Sequence, residues 1–581
     1  MSILAALNSY YDRLESIAKP GWAPQKFGYC IELSRDGKPI HVMSLWDESG
    51  KKRRPREVIV PAVQRTSGIK PALFWDKTAY ALGCTAGESR RTADEHEAFK
   101  RTNLAAIKDK DDPGLIAFRR FLETWKPADF QPPLFSDEML DANILFRLEG
   151  DRCFLHEREA AQALVPTGEG SDEAEAGFCL VTGERGPLAT LHPTIKGVDG
   201  AQPSGATLVS FNQAAFTSHG KEQGANAPTS RRAAFRYGAA LNRLLLRGSG
   251  NRLERTVGDA TVVFWADASN AAAAAAAESF FADGFDGVTD EAEALALARD
   301  LKAVAEGRPL STLRPDIEQG TRFHVLGLSP NAARLSVRFW LTDTLDAFAR
   351  RLAEHAADLS MEPKPWRTYP SVNLLLARSV ASQGDFKNIP PLLAGEVMRA
   401  ILTGTRYPQS WLALTIMRLR AGDDPLTGWH AAAIRAVLHR DFRLNLSPKD
   451  VPMSLSPDEP SPAYQLGRLF AVLEAAQKQA LGNVNATIRD RYFGAASATP
   501  AGVFPLLLRG TQNHLGKLRK DGKGGWIERE IETVVDRLGP NLPRSLALAD
   551  QGRFAIGYYH QRKHQFAGKP VEDSIEEGED E

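Results

Sequence analysis

The sequence predicts an α+β protein: a mixed α/β N-terminal region with antiparallel strands and Gly-rich loops, a helix-rich middle, and a C-terminal helical bundle. Three observations predict this class. In the first half, short alternating apolar runs flank turn residues, as in antiparallel strands. In the second half, apolar residues recur every three and four positions, which is the period of a buried helix face. Between them lies a Gly-rich stretch, with five Gly among residues 192–228.

The length and the composition allow several domains. The chain has 581 residues, of which 43% are hydrophobic and 25% are charged, enough for two to four domains. We predict an α+β domain over 1–270, a mostly helical middle region with one hairpin over 271–450, a helical bundle over 451–570 and an acidic disordered tail over 571–581. The Pro- and Ser-rich segment VPMSLSPDEPSP is typical of a linker before the bundle.

Local signals place the elements of the N-terminal region. Ser2 is expected to cap a first amphipathic helix, and Asp36-Gly37 lies at the turn of a predicted β-hairpin. Thr92 precedes acids in a first turn and bases later, the charge order that the helix dipole favours. The segment SGATLVSFN predicts a strand between two Gly-containing loops, and RTVGDATVVFWAD predicts another strand after the helix that follows them.

Helical periodicity dominates the rest of the chain. The seven-alanine run Ala271–Ala277 follows Asn270, a good N-cap, and predicts a helix start. The pair TRFHVLGLSP and ARLSVRFWL predicts one hairpin among the helices. Five further helices are expected after Met453. Middle helices are predicted over Ala271–Ala282, Glu291–Glu306, Thr342–Ala357, Val372–Gln383, Pro390–Thr403, Tyr407–Ala421 and Gly428–Leu438.

Charge is balanced overall but uneven along the chain. The formal net charge is zero, yet Lys51–Lys110 holds 14 bases against 7 acids, and Met453–Lys569 holds 16 against 10. Such basic regions indicate local contact with a polyanion, and a salt-bridged surface is the alternative. In the segment from Arg65 to Tyr80, bases interleave with aromatics, a pattern suited to nucleic acid. For Trp75 and Tyr80 themselves, a place in the core is the favoured interpretation.

The stretch 192–228 is the most distinctive part of the sequence. It is rich in Gly and amides, carries two Lys, and holds only two carboxylates. A surface that brings backbone N–H groups, amides and ammonium groups close to a large polar ligand needs this composition. After it, Arg231, Arg232 and Arg236 oppose the dipole of a predicted helix, which favours a phosphate at the helix end; solvated arginines are the alternative.

Several classes of protein are disfavoured. The four cysteines lie far apart, which argues against a disulfide framework and a zinc site and indicates a reducing, cytoplasmic location. The N-terminus lacks a basic region typical of a signal peptide, and no apolar run approaches the roughly 20 residues of a membrane span. We expect no cofactor and no membrane partner.

Tests for enzyme motifs are negative. The sequence lacks G-x-S-x-G, H-E-x-x-H, a P-loop and a zinc-deaminase signature. His560 and His564 have the spacing of metal ligands, but Arg562 and Lys563 between them favour a basic binding edge. We therefore expect no catalytic residue and no metal. The alternative is a metal-dependent nuclease that uses the acids Asp283, Asp286, Asp290 and Glu291.

A family resemblance joins these observations. The quoted stretches are SILAALNSYYDRL, RTSGIKPALFWDKTAYALG, RTADEHEAFK, LDANILFRLEG, LVTGERGPLATLHPTIKGVDGAQPSGATLVSFN, and SHGKEQGANAP followed by TVVFWAD. In this order they resemble the large subunit of the type I-C CRISPR Cascade complex, over nearly the whole chain.

The resemblance implies a crRNA-guided complex with a crRNA-capping subunit, backbone-filament subunits and small subunits. It further implies that the chain recognises the protospacer-adjacent motif in double-stranded DNA, opens the duplex, holds the displaced single strand and supports a separate helicase–nuclease. The chain itself would not cut, and residues 1–270 would recognise the motif. In such complexes the guide reads most of the sequence.

Candidate contact residues follow from side-chain chemistry under this role. A narrow minor groove, which offers mainly acceptors, suits thin Gly-containing loops tipped with amides and Lys. The motif-reading candidates are Lys196, Gln202, Ser204, Lys221, Gln223 and Asn226. The candidates for the DNA backbone are Lys51, Lys52, Arg53, Arg54, Arg65, Lys70, Arg231 and Arg232. The candidates for the displaced strand are Lys517, Arg519, Lys520, Arg562 and Lys563.

The resemblance also implies that the C-terminal bundle is made a second time, as a small subunit, by internal translation. Met453 lies in the linker and is the Met placed to start an intact bundle; an ordinary linker Met is the alternative. A generic scaffold that touches no DNA is a third class, and it predicts that the basic loops can be neutralised without effect.

Overall fold

A computed structural model describes residues 1–14, 19–47, 53–63, 68–87, 89–165, 176–288, 290–380, 385–482 and 485–566. The chain divides into two compact units, the first formed by 1–193 with 209–243 and the second by 194–208 with 244–581. The Gly-rich stretch 192–228 is thus shared between the units, because the chain passes to the second unit after 193 and returns to the first after 208.

The first unit contains three small sheets and six helices among its described residues. One sheet has the order β1-β5-β4, the second β3-β2-β7-β6, and the third pairs β8 with β9. The strands are β1 Trp22–Phe27, β2 Tyr29–Leu33, β3 Pro39–Ser44, β4 Trp46–Asp47, β5 Arg54–Pro61, β6 Trp75–Lys77, β7 Asn143–Leu148, β8 Ala176–Phe178 and β9 Arg185–Pro187. The helices are α1 Ile3–Tyr11, α2 Thr78–Ala81, α3 Thr92–Ile107, α4 Pro113–Thr124, α5 Glu159–Gln162 and α6 Arg231–Leu244.

Aromatic side chains fill the core of the first unit. Phe118 lies 4.9 Å from Phe146 between ring centroids, so helix α4 packs on the central strand β7. Trp75 and Tyr80 are buried, as expected, and Trp75 donates from its indole to the carbonyl of Pro61 at 2.9 Å. Burial of such rings removes large apolar areas from water, and this anchors the sheets.

The second unit combines one sheet with a large helical layer. Its five-stranded sheet has the order β10-β11-β14-β13-β12. The strands are β10 Thr194–Ile195, β11 Ala206–Thr207, β12 Thr261–Asp267, β13 Arg322–Asn331 and β14 Arg334–Thr344. The helices are α7 Ala271–Asp286, α8 Glu291–Ala305, α9 Leu310–Leu313, α10 Leu345–Leu359, α11 Val372–Ala377, α12 Pro391–Thr403, α13 Gln409–Arg420, α14 Trp429–Arg443, α15 Pro462–Leu481, α16 Ile488–Ala498, α17 Pro500–Lys520, α18 Gly525–Leu538 and α19 Leu548–Phe566.

The C-terminal helices are built around the crossing of α15 and α19. An added Cβ at Gly467 would lie 2.0 Å from the carbonyl oxygen of Phe554, and one at Gly557 would lie 2.1 Å from that of Tyr464. Only glycine permits this approach of two helix backbones. Helix α19 also packs on α14, since Gly552 faces Ile434. One apolar core therefore runs from the sheet through the middle helices into the C-terminal helices.

The predicted α+β class is confirmed. Ser2 and Asn270 cap α1 and α7, and β2 and β3 pair around Asp36-Gly37 as expected. The strand predicted in SGATLVSFN is much shorter, because only Ala206–Thr207 pairs with neighbours. In the described part of the chain, no helix has the length and apolar character needed to cross a bilayer.

Candidate nucleic-acid interface

The first loop, residues 196–205, belongs to the second unit, and contacts with Arg252 and Thr261 hold it in place. Arg252, whose side chain is 5% exposed, pairs with the carboxylate of Asp199 and donates to the carbonyl of Gly197 at 2.8 Å. The amide of Asp199 donates to the hydroxyl of Thr261 on β12 at 3.0 Å. Burial alone would raise the pKa of Asp199, but the hydrogen bonds and charges of Arg252 and Arg247 hold it below its usual value. The loop is therefore tied to the sheet by a charged anchor.

The motif-reading candidates of the first loop lie at its surface. Lys196, Gln202 and Ser204 are exposed. The amide of Gly205 donates to the carbonyl of Gln202 at 2.9 Å, and this closes a tight turn between β10 and β11. The loop thus presents one ammonium, one amide and one hydroxyl group from a compact turn.

The second loop, residues 212–226, belongs to the first unit and is held by its own bonds. The side-chain oxygen of Asn226 accepts from the amide of Ser218 at 3.1 Å. Its NH₂ group donates to the carbonyls of Lys221 and Gln223 at 2.9 and 3.0 Å. At the foot of the loop, the amide of Gly224 donates to the carbonyl of Thr190 at 3.2 Å. A single side-chain amide therefore closes the loop.

The tip of the second loop has an unusual backbone. His219 has a φ of 50° and Gln223 a φ of 42°, both in the left-handed region that non-glycine residues rarely occupy. Each such residue costs about 1 kcal/mol or more, and strain of this kind gathers at functional sites. His219, Lys221 and Gln223 are all exposed. Sequence reasoning did not select His219 as a contact, because its place at the tip depends on the backbone turn.

The side chain of Asn226, a predicted motif reader, makes its hydrogen bonds within the second loop. Its oxygen accepts one hydrogen bond and its nitrogen donates two, all within the loop, so the amide is engaged in holding Ser218, Lys221 and Gln223. An amide has two donors and one acceptor oxygen to offer. We therefore assign Asn226 to the shaping of the loop and keep Lys221 and Gln223 as candidate readers.

The candidates for DNA-backbone contact are only partly described. Lys51, Lys52 and Arg65 lie outside the described residues. Arg53, Arg54 and Lys70 are exposed in the first unit. The guanidinium of Arg53 lies 4.8 Å from the centre of the Trp46 ring and 3.8 Å from the carboxylate of Glu138, both contacts that a phosphate could replace.

The three arginines near the start of α6, which were predicted to favour a phosphate at the helix end, lie in different surroundings. Ser230 caps the helix, since its hydroxyl accepts from the amide of Ala233 at 3.2 Å. Arg232 is exposed and Arg231 is half-buried. Arg236 is buried against α1, where it pairs with Asp12 and donates to the carbonyl of Asn8 at 2.8 Å. Arg236 is thus structural, whereas Arg232 faces solvent.

The displaced-strand candidates fall into two groups. Lys517, Arg519 and Lys520 are exposed on the last turns of α17, a helix without a single acidic residue. Arg562, by contrast, is 3% exposed, 3.5 Å from the buried carboxylate of Glu474. We remove Arg562 from the candidates, because a buried guanidinium presents no surface to a strand. Lys563 is half-buried beside the Tyr559 ring.

The basic edge predicted at His560 does not form. His560 is 2% exposed and its ring contacts the hydroxyl of Tyr464 at 3.0 Å. Burial lowers its pKa to about 4, so the ring is neutral at physiological pH. The prediction placed His560 in solvent. It was wrong because this part of α19 packs against the core, which helical periodicity alone does not indicate.

Two of the four acids of the nuclease alternative accept hydrogen bonds from nearby backbone amides. Asp290 caps α8 by accepting from the amide of Glu293 at 3.0 Å, and Asp286 accepts from the amide of Glu254 at 3.1 Å. Burial raises the pKa of Asp286 to about 6. Within the described ranges, no group of three or more His, Cys, Asp or Glu side chains is arranged to hold a metal ion.

Comparison with protein-family models shows a match over most of the chain. The family model described as CRISPR-associated protein (Cas_Csd1) matches residues 7–566, which is nearly the whole chain. No curated protein matches the chain. The match includes both loops, the basic segment of the first unit and all helices of the second unit.

Proposed function

Because the chain belongs to the Cas_Csd1 family of CRISPR-associated proteins, we propose that it is the non-catalytic large subunit of a type I-C crRNA-guided interference complex. In this role it recognises the protospacer-adjacent motif in duplex DNA, helps to open the duplex and stabilises the displaced non-target strand. It also supports recruitment of the helicase–nuclease. Its partners are the crRNA-capping, backbone-filament and small subunits of that complex.

The single observation that carries this proposal is the second loop. A strained tip with an exposed His, Lys and Gln, held by one internal amide, is a preformed probe for a narrow polar groove. Preformed loops lose little entropy on binding, so their contacts yield discrimination. The first loop offers the same classes of side chain from a second preformed turn. Both suit a minor groove, which displays acceptors and is read by Lys, Asn and Gln.

The proposal is tested with band shifts of the assembled complex on targets that differ only in the adjacent motif. Lys196→Ala combined with Asn226→Ala should abolish preference for the motif. Lys52→Ala combined with Arg53→Ala should weaken binding to all DNA alike, because phosphate contacts carry no sequence information. Unchanged discrimination by the loop variant would refute the assignment of the loops.

We further propose that the C-terminal bundle is also produced separately from an internal start at Met453. Met453 is exposed in the connection between α14 and α15, ahead of the complete set α15–α19. The separate product would expose a face of α19 that the whole chain covers, because Gly552 packs on Ile434 and the hydroxyl of Tyr559 donates to the carbonyl of Pro363 at 3.1 Å. A partner in the complex would then cover that face.

Expression of the wild-type gene beside a Met453→Leu version tests the internal start. Blotting for the C-terminus should show a short product from the wild type alone. A short product that survives the change would exclude Met453 as its start. The non-catalytic role has its own test, since divalent-ion-dependent cleavage of DNA by the purified chain alone would favour the nuclease.

A further inference from the structure

The end of α17 and the turn into α18 present a compact group of bases. Helix α17 contains no acidic residue, and Lys517, Arg519 and Lys520 are exposed in its last turns. The amide of Lys523 donates to the carbonyl of Leu518 at 2.8 Å, so the turn folds back on the helix and adds another exposed ammonium group. We call Lys517, Arg519, Lys520 and Lys523 the α17 face.

Nearby acids neutralise only part of the α17 face. Glu528 pairs with Arg519 at 2.5 Å, and Asp521 is exposed in the turn. Within the described part of the chain, the three lysines of the face form no ion pair. Burial, together with the charge of Lys517, lowers the pKa of His514, three residues before it. The face therefore keeps a net positive charge that is available to an anion.

The same chain carries a dense run of the opposite charge. Residues 571–581, which we call the acidic run, read VEDSIEEGEDE and hold seven acids and no base. Four residues, 567–570, connect the run to Phe566, the last residue of α19. The function proposed above gives the run no role, and its charge is complementary to that of the α17 face.

The end of α19 lies close enough for the acidic run to reach this face. Arg562, near the end of α19, is 3.5 Å from the carboxylate of Glu474 on α15. Further along α15, Ala480 shares an apolar cluster with Leu515 and Leu518 of α17. The helix α15 thus packs on both sides, against the end of α19 and against the end of α17. Ten residues of extended chain span about 33 Å, whereas a helix is about 10 Å wide, so the connection is long enough.

We propose that the acidic run binds the α17 face when no nucleic acid is present and gives way to the displaced strand when the duplex opens. The proposal rests on the proposed contact between this face and the displaced strand. The carboxylates take the place of phosphates, and the short connection gives the run an effective concentration of about millimolar, so that even a weak contact forms. A displaced strand is held nearby by the complex and can replace the run, whereas stray nucleic acid must compete from dilute solution. The contact thus restricts unguided binding.

Carbodiimide cross-linking of the purified full chain tests the contact without DNA. The reagent condenses an amine with a carboxylate, with loss of water, where the two groups touch. Mass spectrometry of the monomeric product should find the acidic run linked to Lys517, Lys520 or Lys523. The yield of these links should fall about fivefold when the salt concentration rises from about 0.05 M to about 1 M, because salt screens exposed charges. Links formed only between two chains, or only to lysines outside the face, would overturn the contact.

Binding of a fluorescent single-stranded oligonucleotide measures the competition. A chain whose seven acids in 571–581 are replaced by the matching amides should bind the oligonucleotide about fivefold more tightly at about 50 mM salt. In the background of Lys517→Ala with Lys520→Ala, the amide changes should have little effect, because the run has lost its site. A gain that persisted there would come from net charge alone and would overturn the competition. Lys302→Ala removes an exposed lysine of α8 and, as the control, should change neither the links nor the affinity.

The outcomes separate this contact from the function on which it rests. If the links form but neither the wild type nor the amide variant binds single strands, the proposed contact with the displaced strand fails, whereas the contact of the acidic run with the α17 face stands. If the lysine changes weaken binding of single strands, but no links form and the amide variant binds like the wild type, the proposed function stands and the acidic run alone is overturned.

Discussion

The two glycine-rich loops carry similar side chains but owe their shapes to different forces. The first loop is tied to the sheet by a charged anchor, in which Arg252 holds Asp199 and the carbonyl of Gly197. The second loop has no such anchor among the contacts described for it; the amide of Asn226 closes it from within. The first loop therefore depends on the stability of its scaffold, whereas the exposed part of the second depends mainly on the Asn226 amide.

This difference separates stability from recognition. Loss of the anchor should destabilise a buried part of the second unit, whereas loss of the amide should relax an exposed loop and leave the rest of the first unit intact. A change at the anchor of the first loop should therefore cost mainly stability. A change at the amide of the second loop should cost mainly motif preference.

The largest effect is expected from Arg252→Ala. The change leaves the carboxylate of Asp199 and two backbone carbonyls without their buried donor, at a cost of about 2 kcal/mol in the free energy of unfolding. Thermal unfolding of the purified chain measures it. Arg252→Lys keeps the positive charge but lacks the planar guanidinium group that contacts several acceptors at once. It should therefore recover part of the lost stability. An unchanged melting temperature would show that the first loop does not rely on this anchor.

A smaller change in stability but a larger one in recognition is expected from Asn226→Ala. The variant loses three hydrogen bonds in an exposed loop, which should change the free energy of unfolding by roughly 0.5 kcal/mol or less. Motif preference of the assembled complex should fall about tenfold, because the strained tip is no longer held. Gln223→Ala is the control that removes a reader and keeps the clamp. If Asn226→Ala retained full preference, the clamp would have no part in recognition.

Much of this contrast could be predicted from the sequence, and part could not. The concentration of Gly, amides and Lys in residues 192–228 follows from composition alone, and so do the caps at Ser2 and Asn270. The clamp by Asn226 depends on where the chain returns after a turn of eight residues, which no local pattern encodes. The sequence therefore predicts which types of side chain the loops carry, but it does not predict that the amide of Asn226 holds the second loop together.

Burial at the end of helix α19 is a second feature that could not be predicted from the sequence. Arg562 and His560 lie in a basic segment that typifies a solvated helix end, yet both are buried. The deciding partner of Arg562 is Glu474, 88 positions earlier on α15. Pairings of this range depend on how helices pack, whereas helical periodicity reports only which face of a single helix is apolar.

The relative weight of the two loops in reading can be measured with matched lysine variants. Lys196→Ala and Lys221→Ala each remove one exposed ammonium from one loop, and each should weaken binding to motif-bearing DNA by about 1 kcal/mol, or roughly fivefold. A lysine that reads a base should also lower motif preference, whereas one that contacts phosphate should lower only the salt dependence of binding, by about one unit of slope. Band shifts at several salt concentrations distinguish the two. If neither preference nor salt dependence changed for either variant, both loops would lie away from the DNA.

A pH-dependent effect is expected from Asp286, near the anchor of the first loop. Asp286 accepts from the amide of Glu254, two residues beyond Arg252, and burial raises its pKa to about 6 from an ordinary value of 3.8. The folded chain thus keeps a proton that the unfolded chain releases, so the stability due to this group is complete below about pH 4. That stability is lost as the pH rises through 6. Asp286→Asn, whose oxygen can still accept from Glu254, should therefore raise stability at pH 7.5 and leave it unchanged at pH 4. Melting curves at both pH values test this, and an equal shift at the two would contradict a titrating Asp286.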